Sequence, residues 1–403
     1  MRLKDITTLS PQYIGSGIDS DVSFVPMESL RNGNIDYQTI PFKEAKGKYT
    51  YFGNDDLLIA KVTPCFENGN IAIAKNLLNG IGFGSSEIFV LRPNEKITSQ
   101  YLFYLSQSRD FQNKACSTMC GVGGLKRISP LFMRTYEVKI PNLTVQQKMV
   151  DYLDDKLSKI DTQVSLLTSK RDAYLRLKKS IINHAVTKGL DPDVKMKNSG
   201  IEWIGEIPEH WEVKRMKEIY TERKEVSVTG KEDLLSVSEY YGVARRKDKI
   251  SSDDEFESRA DSLVGYKICK TNDLVINIML AWKTGLGISE YDGIVSPAYA
   301  VYKGKKIVSH YYHYLLRSGM YVTEFKRHSK GIIDSRLRLY NDRFNNITAI
   351  YPPLHEQKAI ATYLDEKCSK IDAIVANMEK QISKYADLKR SLIDEVITGK
   401  RAV

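Results

Sequence analysis

The stretch Tyr152-Leu153-Asp154-Asp155-Lys156-Leu157-Ser158-Lys159-Ile160-Asp161 returns, little changed, as Tyr363-Leu364-Asp365-Glu366-Lys367-Cys368-Ser369-Lys370-Ile371-Asp372. Around it, residues 141–189 lie on residues 352–400 without a gap, at a constant offset of 211 residues. In the first copy Val150, Leu153, Leu157, Ile160, Val164 and Leu167 alternate three and four apart. Ala361, Leu364, Cys368, Ile371, Val375 and Met378 do the same in the second. A 3-4 repeat is the seam of a coiled coil. Arg171 and the matching pair Lys178 and Lys389 interrupt it, and either loosen the coil or set its register. Two unrelated amphipathic helices would not keep register over such a length. The pattern predicts two equivalent helices packed on each other about a pseudo-two-fold axis. A helix over about 150–186 is roughly 55 Å long and acts as a spacer.

The duplication continues outside the helices. Residues 2–6 echo 215–219, 54–59 echo 271–276, 86–91 echo 296–301, and 101–105 echo 311–315, with drifting offsets that mark loop insertions. The expected organisation is a globular domain over 1–140, a long helical spacer over 141–189, a linker and second globular domain over 190–351, and a second spacer over 352–403. Short β-branched and aromatic runs predict strands at 57–62, 71–75, 88–92, 274–279 and 298–303. Single helices are expected at 99–114 and 308–325. The globular halves are mixed α/β, and they diverge far more than the helices do. The helices look held to one geometry while the domains serve different targets.

Of the 403 residues, 42% are apolar and 27% charged, the composition of a globular protein. No run of about eighteen apolar residues offers a membrane span, and residues 1–5 lack the apolar core of a signal peptide. Five scattered cysteines without a CxxC pair fit a reducing cytoplasm and no zinc site. The net charge of +10 is spread as +3, +4, +2 and +1 over residues 1–140, 141–199, 200–350 and 351–403, which suits a polyanion partner.

Catalytic signatures are missing. There is no Walker A pattern. Gly15-Ser16-Gly17 and Gly121-Val122-Gly123-Gly124 do not join a strand to a helix as phosphate loops do, and the second reads as a turn. Tyr351-Pro352-Pro353-Leu354 is a helix start with proline, not a methyltransferase tetrapeptide. Pro192-Asp193-Val194-Lys195 reads as a turn in a linker. The six histidines show neither metal nor triad spacing. The chain is expected to have no catalytic and no metal residues.

Two sets of residues suit nucleic acid. A basic run from Lys305 to Arg343 includes Arg317, Lys326, Arg327, Lys330, Arg336 and Arg338. Alternation in Ser335-Arg336-Leu337-Arg338-Leu339 predicts both arginines on one face of an extended segment. Lys126 and Arg127 hold the corresponding place in the first half. Such a run is either a solvated face or a phosphate and base contact. The second set lies on strand-to-loop segments: Lys61, Thr63, Asn68 and Asn70, against Asn277, Trp282 and Lys283. Amides and lysines read base edges, while Trp282 serves equally well as core.

The helix starts of the form Pro-x-Leu-x-x-Gln, each followed by Tyr-Leu-Asp-x-Lys-x-Ser-Lys-Ile-Asp, resemble the specificity (S) subunit of type I restriction–modification systems. The segment Ser199-Gly200-Ile201-Glu202-Trp203-Ile204-Gly205-Glu206-Ile207-Pro208-Glu209-His210-Trp211-Glu212-Val213 resembles the opening of a target recognition domain of that family. Leu337-Arg338-Leu339-Tyr340, leading to Pro352, resembles its close. The opening motif is absent before Arg2. The resemblance implies an α+β protein: two mixed α/β target recognition domains in a pseudo-two-fold inverted arrangement, separated by two long helices in an antiparallel coiled coil. Each domain would read half of a split double-stranded DNA sequence, with the coil setting the gap. It also implies two modification (M) subunits and restriction (R) subunits as partners. S-adenosylmethionine, ATP and Mg would sit on those partners and no cofactor on this chain. The competing expectation is a coiled-coil scaffold with two adaptor domains that bind no DNA.

Overall fold

The computed structural model describes residues 1–121, 124–246 and 262–403, at Ser335 the backbone only. Val122 and Gly123, the middle of the expected glycine turn, lie outside them. The chain divides into two compact units, Met1–Ser169 with Met378–Val403, and Lys170–Asn377. Each holds one globular domain and one stretch of each long helix.

In the first unit an antiparallel sheet has the spatial order Thr7–Leu9, Ile88–Pro93, Leu57–Ala60, Ile71–Ile73. A second sheet orders Gln38–Pro41, Asp21–Val25, Ile81–Gly84 and Thr50–Gly53, with one parallel pair. The second unit repeats the first sheet as Tyr220–Glu222, Tyr299–Gly304, Leu274–Asn277, Leu286–Ile288. Leu57–Ala60 and Leu274–Asn277 are central and wholly buried, which is why Leu57–Ala60 and the first three residues of Leu274–Asn277 read as unbroken apolar runs. Each follows the same turn. Asp55 and Asn272 adopt φ of +66° and +71°. The buried Asp56 and Asp273 then accept backbone N–H groups from Gly53 (2.7 Å) and Lys270 (2.8 Å) and the guanidinium groups of Arg92 and Arg223.

Two expectations need correction. The helices over 99–114 and 308–325 are each broken in two, Ser99–Gln107 with Arg109–Ser117 and Ser309–Leu316 with Gly319–His328. The breaks fall at Ser108 and Ser318, whose backbones are extended; the Ser108 hydroxyl caps the next helix by accepting from Phe111 N–H. The strand matches of 86–91 to 296–301 are also one residue off. Leu91 lies opposite Leu57 and Tyr302 opposite Leu274, so Leu91 corresponds to Tyr302, not Val301. The equivalent side chains must share a face, and a one-residue slip would reverse it.

The long helices span Leu143–Lys188 and Leu354–Ile397, 46 and 44 residues. The first therefore starts earlier than the seam suggested and is about 69 Å long. Asn142 Oδ1 caps it, accepting from Val145 N–H at 3.0 Å. Gly189 and Gly399, at φ of +81° and +72°, end the two helices as C-terminal glycines do. In the first unit Val150, Leu153, Leu157 and Ile160 share a core with Leu392, Ile393, Val396 and Ile397, so the start of one helix packs antiparallel on the end of the other. In the second unit Ala185 and Val186 pack with Ile360, Ala361 and Leu364. Of the seam, Leu153, Leu157, Ile160, Leu364, Cys368, Ile371, Val375 and Met378 are buried, while Val164 and Leu167 are half-buried. The lysines that interrupt it have partners. Lys178 pairs with Asp372 in one unit and Lys389 with Asp161 in the other, each at 2.6 Å.

Repeated motif residues join each domain to its helix. Gln146 is fully buried; its Oε1 accepts from Thr98 N–H (3.0 Å), and its Nε2 donates to Lys96 O (2.8 Å) and Pro141 O (2.9 Å). Gln357 repeats this with Val308 N–H (2.8 Å) and Pro352 O (2.7 Å). The Tyr104 hydroxyl donates to Asp154 as the Tyr314 hydroxyl donates to Asp365. Burial, then the carboxylate, pushes both phenols well above their ordinary pKa. The Gln and Asp of the repeat are thus attachment points of a domain on a helix. In the second domain Trp211 is fully buried and donates from its indole to Glu356 (2.9 Å), while His210 meets the other oxygen of that carboxylate at 2.6 Å. This accounts for the His-Trp of the opening segment.

Candidate nucleic-acid interface

The two candidate sets, separate in sequence, come together in each domain. In the first, Ile128 N–H donates to Lys61 O at 3.0 Å, and Val62 bridges Arg127. In the second, Leu339 N–H donates to Ile278 O at 2.9 Å. The segment carrying the paired basic residues therefore lies beside the strand-to-loop segment in both. A short loop is shut at its base by a Cys120–Arg127 bridge in one domain and a Lys330–Arg338 bridge in the other. Both loops turn on a glycine for steric reasons. A Cβ on Gly121 would lie 2.1 Å from Leu125 O, and one on Gly331 2.6 Å from Arg336 O. Arg127 thus corresponds to Arg338.

Within the first domain Lys126 is exposed. Arg127 is exposed too, but forms two 2.9 Å hydrogen bonds to Glu87. Those bonds hold the Glu87 carboxylate below its ordinary pKa. A phosphate must therefore compete with Glu87 for this guanidinium. Lys61 is half-buried, donates to Ser86 O at 2.6 Å and lies over the Phe89 ring; burial pulls its ammonium below the ordinary pKa. Thr63 differs from expectation. It is buried, its hydroxyl donates to Gly124 O (2.8 Å) and accepts from Lys126 N–H (3.0 Å), and so it braces the loop from within. Asn68 is exposed and Asn70 half-buried on the turn after Pro64.

In the second domain Asn277 is likewise internal, buried with Oδ1 accepting from Met279 N–H at 3.1 Å. Trp282 is half-buried, its indole N–H satisfied by Met279 O at 3.1 Å. Lys283 and Lys326 each place an ammonium 4.9 Å from its ring centre. The ring thus sits at the margin of core and surface within a cationic patch, a position from which it can stack. Lys330 and Arg336 are exposed, and Arg338 is half-buried. Arg336 ends a 3-10 turn over Asp334–Arg336, so the two arginines are not on one extended strand. Leu337 and Leu339 still point into the core.

The basic run does not form one patch. Arg317 is withdrawn from it, with its guanidinium donating to the carbonyls of Thr284, Leu286, Glu239 and Tyr240 at 2.6–3.1 Å. It fastens the Glu239–Tyr240 turn beside the Trp282 loop, and Tyr240 is 83% exposed there. The sequence reasoning missed Tyr240 and Glu87, since nothing in the chain order places them beside the basic loops. Among the described residues no group of three or more His, Cys, Asp or Glu could hold a metal ion, and no helix is long and apolar enough to cross a membrane.

Residues 7–167 match the family model described as the type I restriction modification DNA specificity domain. The specificity subunit of the type I restriction enzyme EcoAI of Escherichia coli is 31% identical over 184 residues, 45% of this chain. The match spans only 31% of that relative's length. The specificity subunit of MjaVIII from Methanocaldococcus jannaschii is 24% identical over 392 residues, 89% of this chain and 87% of that one. A solved chain described under complex assembly and conformational transition of the type I R-M system shares the fold over 98% of this chain and 96% of its own. Its TM-score is 0.73 at 14% identity. Residues 7–167 are thus similar to a DNA specificity domain, and the fold of the whole chain is that of the solved type I R-M chain. The curated relatives it resembles are specificity subunits of type I restriction enzymes.

Proposed function

We propose that this chain is the double-stranded DNA recognition subunit of a type I restriction–modification complex and carries no catalytic site of its own. Each globular domain reads one half of a bipartite target, and the paired long helices hold the two readers a set distance apart. Two M subunits, which bring S-adenosylmethionine, methylate adenine at the sites so chosen, and R subunits, with ATP and Mg, cut unmodified DNA in the cytoplasm. One observation carries the reading: two domains of diverged sequence keep the same glycine-turned loop, closed on an arginine and laid beside a polar strand-to-loop segment. Basic loops supply the phosphate contacts that position a protein, while the diverged segments supply base contacts that differ between half-sites. Lys61, Asn68, Asn70, Lys126, Arg127, Trp282, Lys283, Lys330, Arg336 and Arg338 are the contacts proposed. Docking of M subunits is supported by Leu177 and Leu388, at equivalent helix positions and each 48% exposed.

The test is duplex binding by the complex with M subunits across a salt series. Replacing Lys126, Arg127, Arg336 and Arg338 together by Ala should weaken binding and lower the salt slope by about one unit per lost phosphate contact. Unchanged affinity and slope would refute the assignment, and a scaffold would give no salt-dependent shift at all.

A further inference from the structure

The loop from Lys330 to Arg338 carries a feature that phosphate contact does not explain. Ile332 is 99% exposed, and no large apolar side chain among the described residues is more so; Ile333 beside it is 54% exposed. The base of the loop is firm. Lys330 and Arg338 exchange two 2.9 Å backbone hydrogen bonds, Arg336 N–H donates to Ile333 O at 2.8 Å, and Leu337 and Leu339 are buried beneath. The isoleucines therefore stand on a closed, anchored turn. Lys330 and Arg336 flank them, exposed, and the one acidic side chain of the loop, Asp334, is paired with Lys326 at 3.1 Å. The corresponding loop of the first domain also sets an exposed aliphatic side chain, Leu125 (56%), next to an exposed Lys126.

An aliphatic tip on a firm base between cations matches a duplex better than a protein. Cations on either side meet phosphates, and an apolar side chain between them meets the faces of the bases. Apolar wedges of this kind part a base step and kink the duplex. We propose that Ile332, backed by Ile333, enters the base stack of bound DNA while Lys330 and Arg336 hold the phosphates on either side. The inference rests on the DNA-recognition function proposed above and adds a means of selection by deformability. Pyrimidine–purine steps part most easily, so such a step is expected at the wedge in the half-site read by residues 200–350.

The experiment uses the complex of this chain with its M subunits and a duplex carrying the methylated sequence mapped in the host. 2-Aminopurine replaces, one at a time, the adenines in and beside that half-site, leaving out the methylated one. The unaltered complex should raise fluorescence several-fold at one step through unstacking. Ile332→Leu should keep the signal. Ile332→Ala with Ile333→Ala should abolish it while leaving the salt slope of binding unchanged, because the phosphate contacts remain. A full signal in the alanine variant, or tight binding by the unaltered complex with no signal at any step, overturns the wedge and leaves DNA recognition standing. If the alanine variant instead loses its M subunits in DNA-free size-exclusion chromatography, the tip is a protein-docking element and the wedge is wrong. No binding by the unaltered complex overturns DNA recognition and the wedge with it.

Discussion

Replacing Gln146 with leucine tests whether the repeated glutamine attaches a domain to its helix. The side chain is wholly buried and serves three backbone groups, Thr98 N–H, Lys96 O and Pro141 O, at 2.8–3.0 Å. Leucine is close in size but serves none of them. Each hydrogen bond contributes about 0.5–1.5 kcal/mol net, and a buried group left unpaired costs about 1–3 kcal/mol. Carbonyls near the helix start can turn in part to water, so the expected loss is about 2–4 kcal/mol. With roughly 2–4 °C per kcal/mol for units of this size, the thermal midpoint should fall by about 5–15 °C. Differential scanning calorimetry measures this. The control is Gln147→Leu, since Gln147 is exposed and donates only to Asp151 at 2.7 Å. A Gln146→Leu midpoint within 1 °C of the control would refute the anchoring role.

Two further outcomes follow from the geometry. Reversing both seam lysines, Lys178→Glu with Lys389→Glu, should destabilise the helix pair. Adding Asp161→Lys with Asp372→Lys should restore it; a double-mutant cycle should give a coupling of about 0.2–1 kcal/mol per pair, small because these side chains are partly exposed, and zero coupling would mean the pairs do not set the register. His313 is half-buried and accepts from Ile288 N–H at 3.3 Å; desolvation, then Arg317 and His310, lowers its pKa from 6.5 to about 3. The folded pKa lies below the unfolded one, so the neutral ring's stabilisation is full above pH 6.5 and is lost as pH falls toward 3. The slope is about 1.4 kcal/mol per pH unit. His313→Gln should flatten midpoint against pH over 6.5–4, and an unflattened curve would contradict the assignment.

The parts legible in sequence were those with a period or a repeat. The heptad marked the helix pair, and the duplicated Gln, Asp and Lys marked positions whose partners the structure supplies. Continuous apolar runs marked the central strands because those strands are covered on both faces. Other features depended on neighbours distant in the chain. Ser108 and Ser318 break helices that composition alone would continue; the Ser108 hydroxyl takes up backbone groups in a way a hydrophobic pattern does not register, whereas at Ser318 only the extended backbone makes the break. Arg317 looked like surface charge, and only the fold brings four carbonyls around it. Thr63 and Asn277 carry side chains suited to base contact but are used by their own loops. For Ile332 a signal existed: an apolar pair directly after a glycine inside a basic run, with no core periodicity to employ it.

The central claim is that the two globular domains are independent readers of two half-sites. It is tested most directly by exchanging residues 200–350 for the second recognition domain of a relative with a different target and mapping adenine methylation across the host genome. The account predicts a methylated sequence in which one half is new while the other half and the gap are unchanged. Both halves changing together, or an active complex with an unaltered sequence, would contradict it.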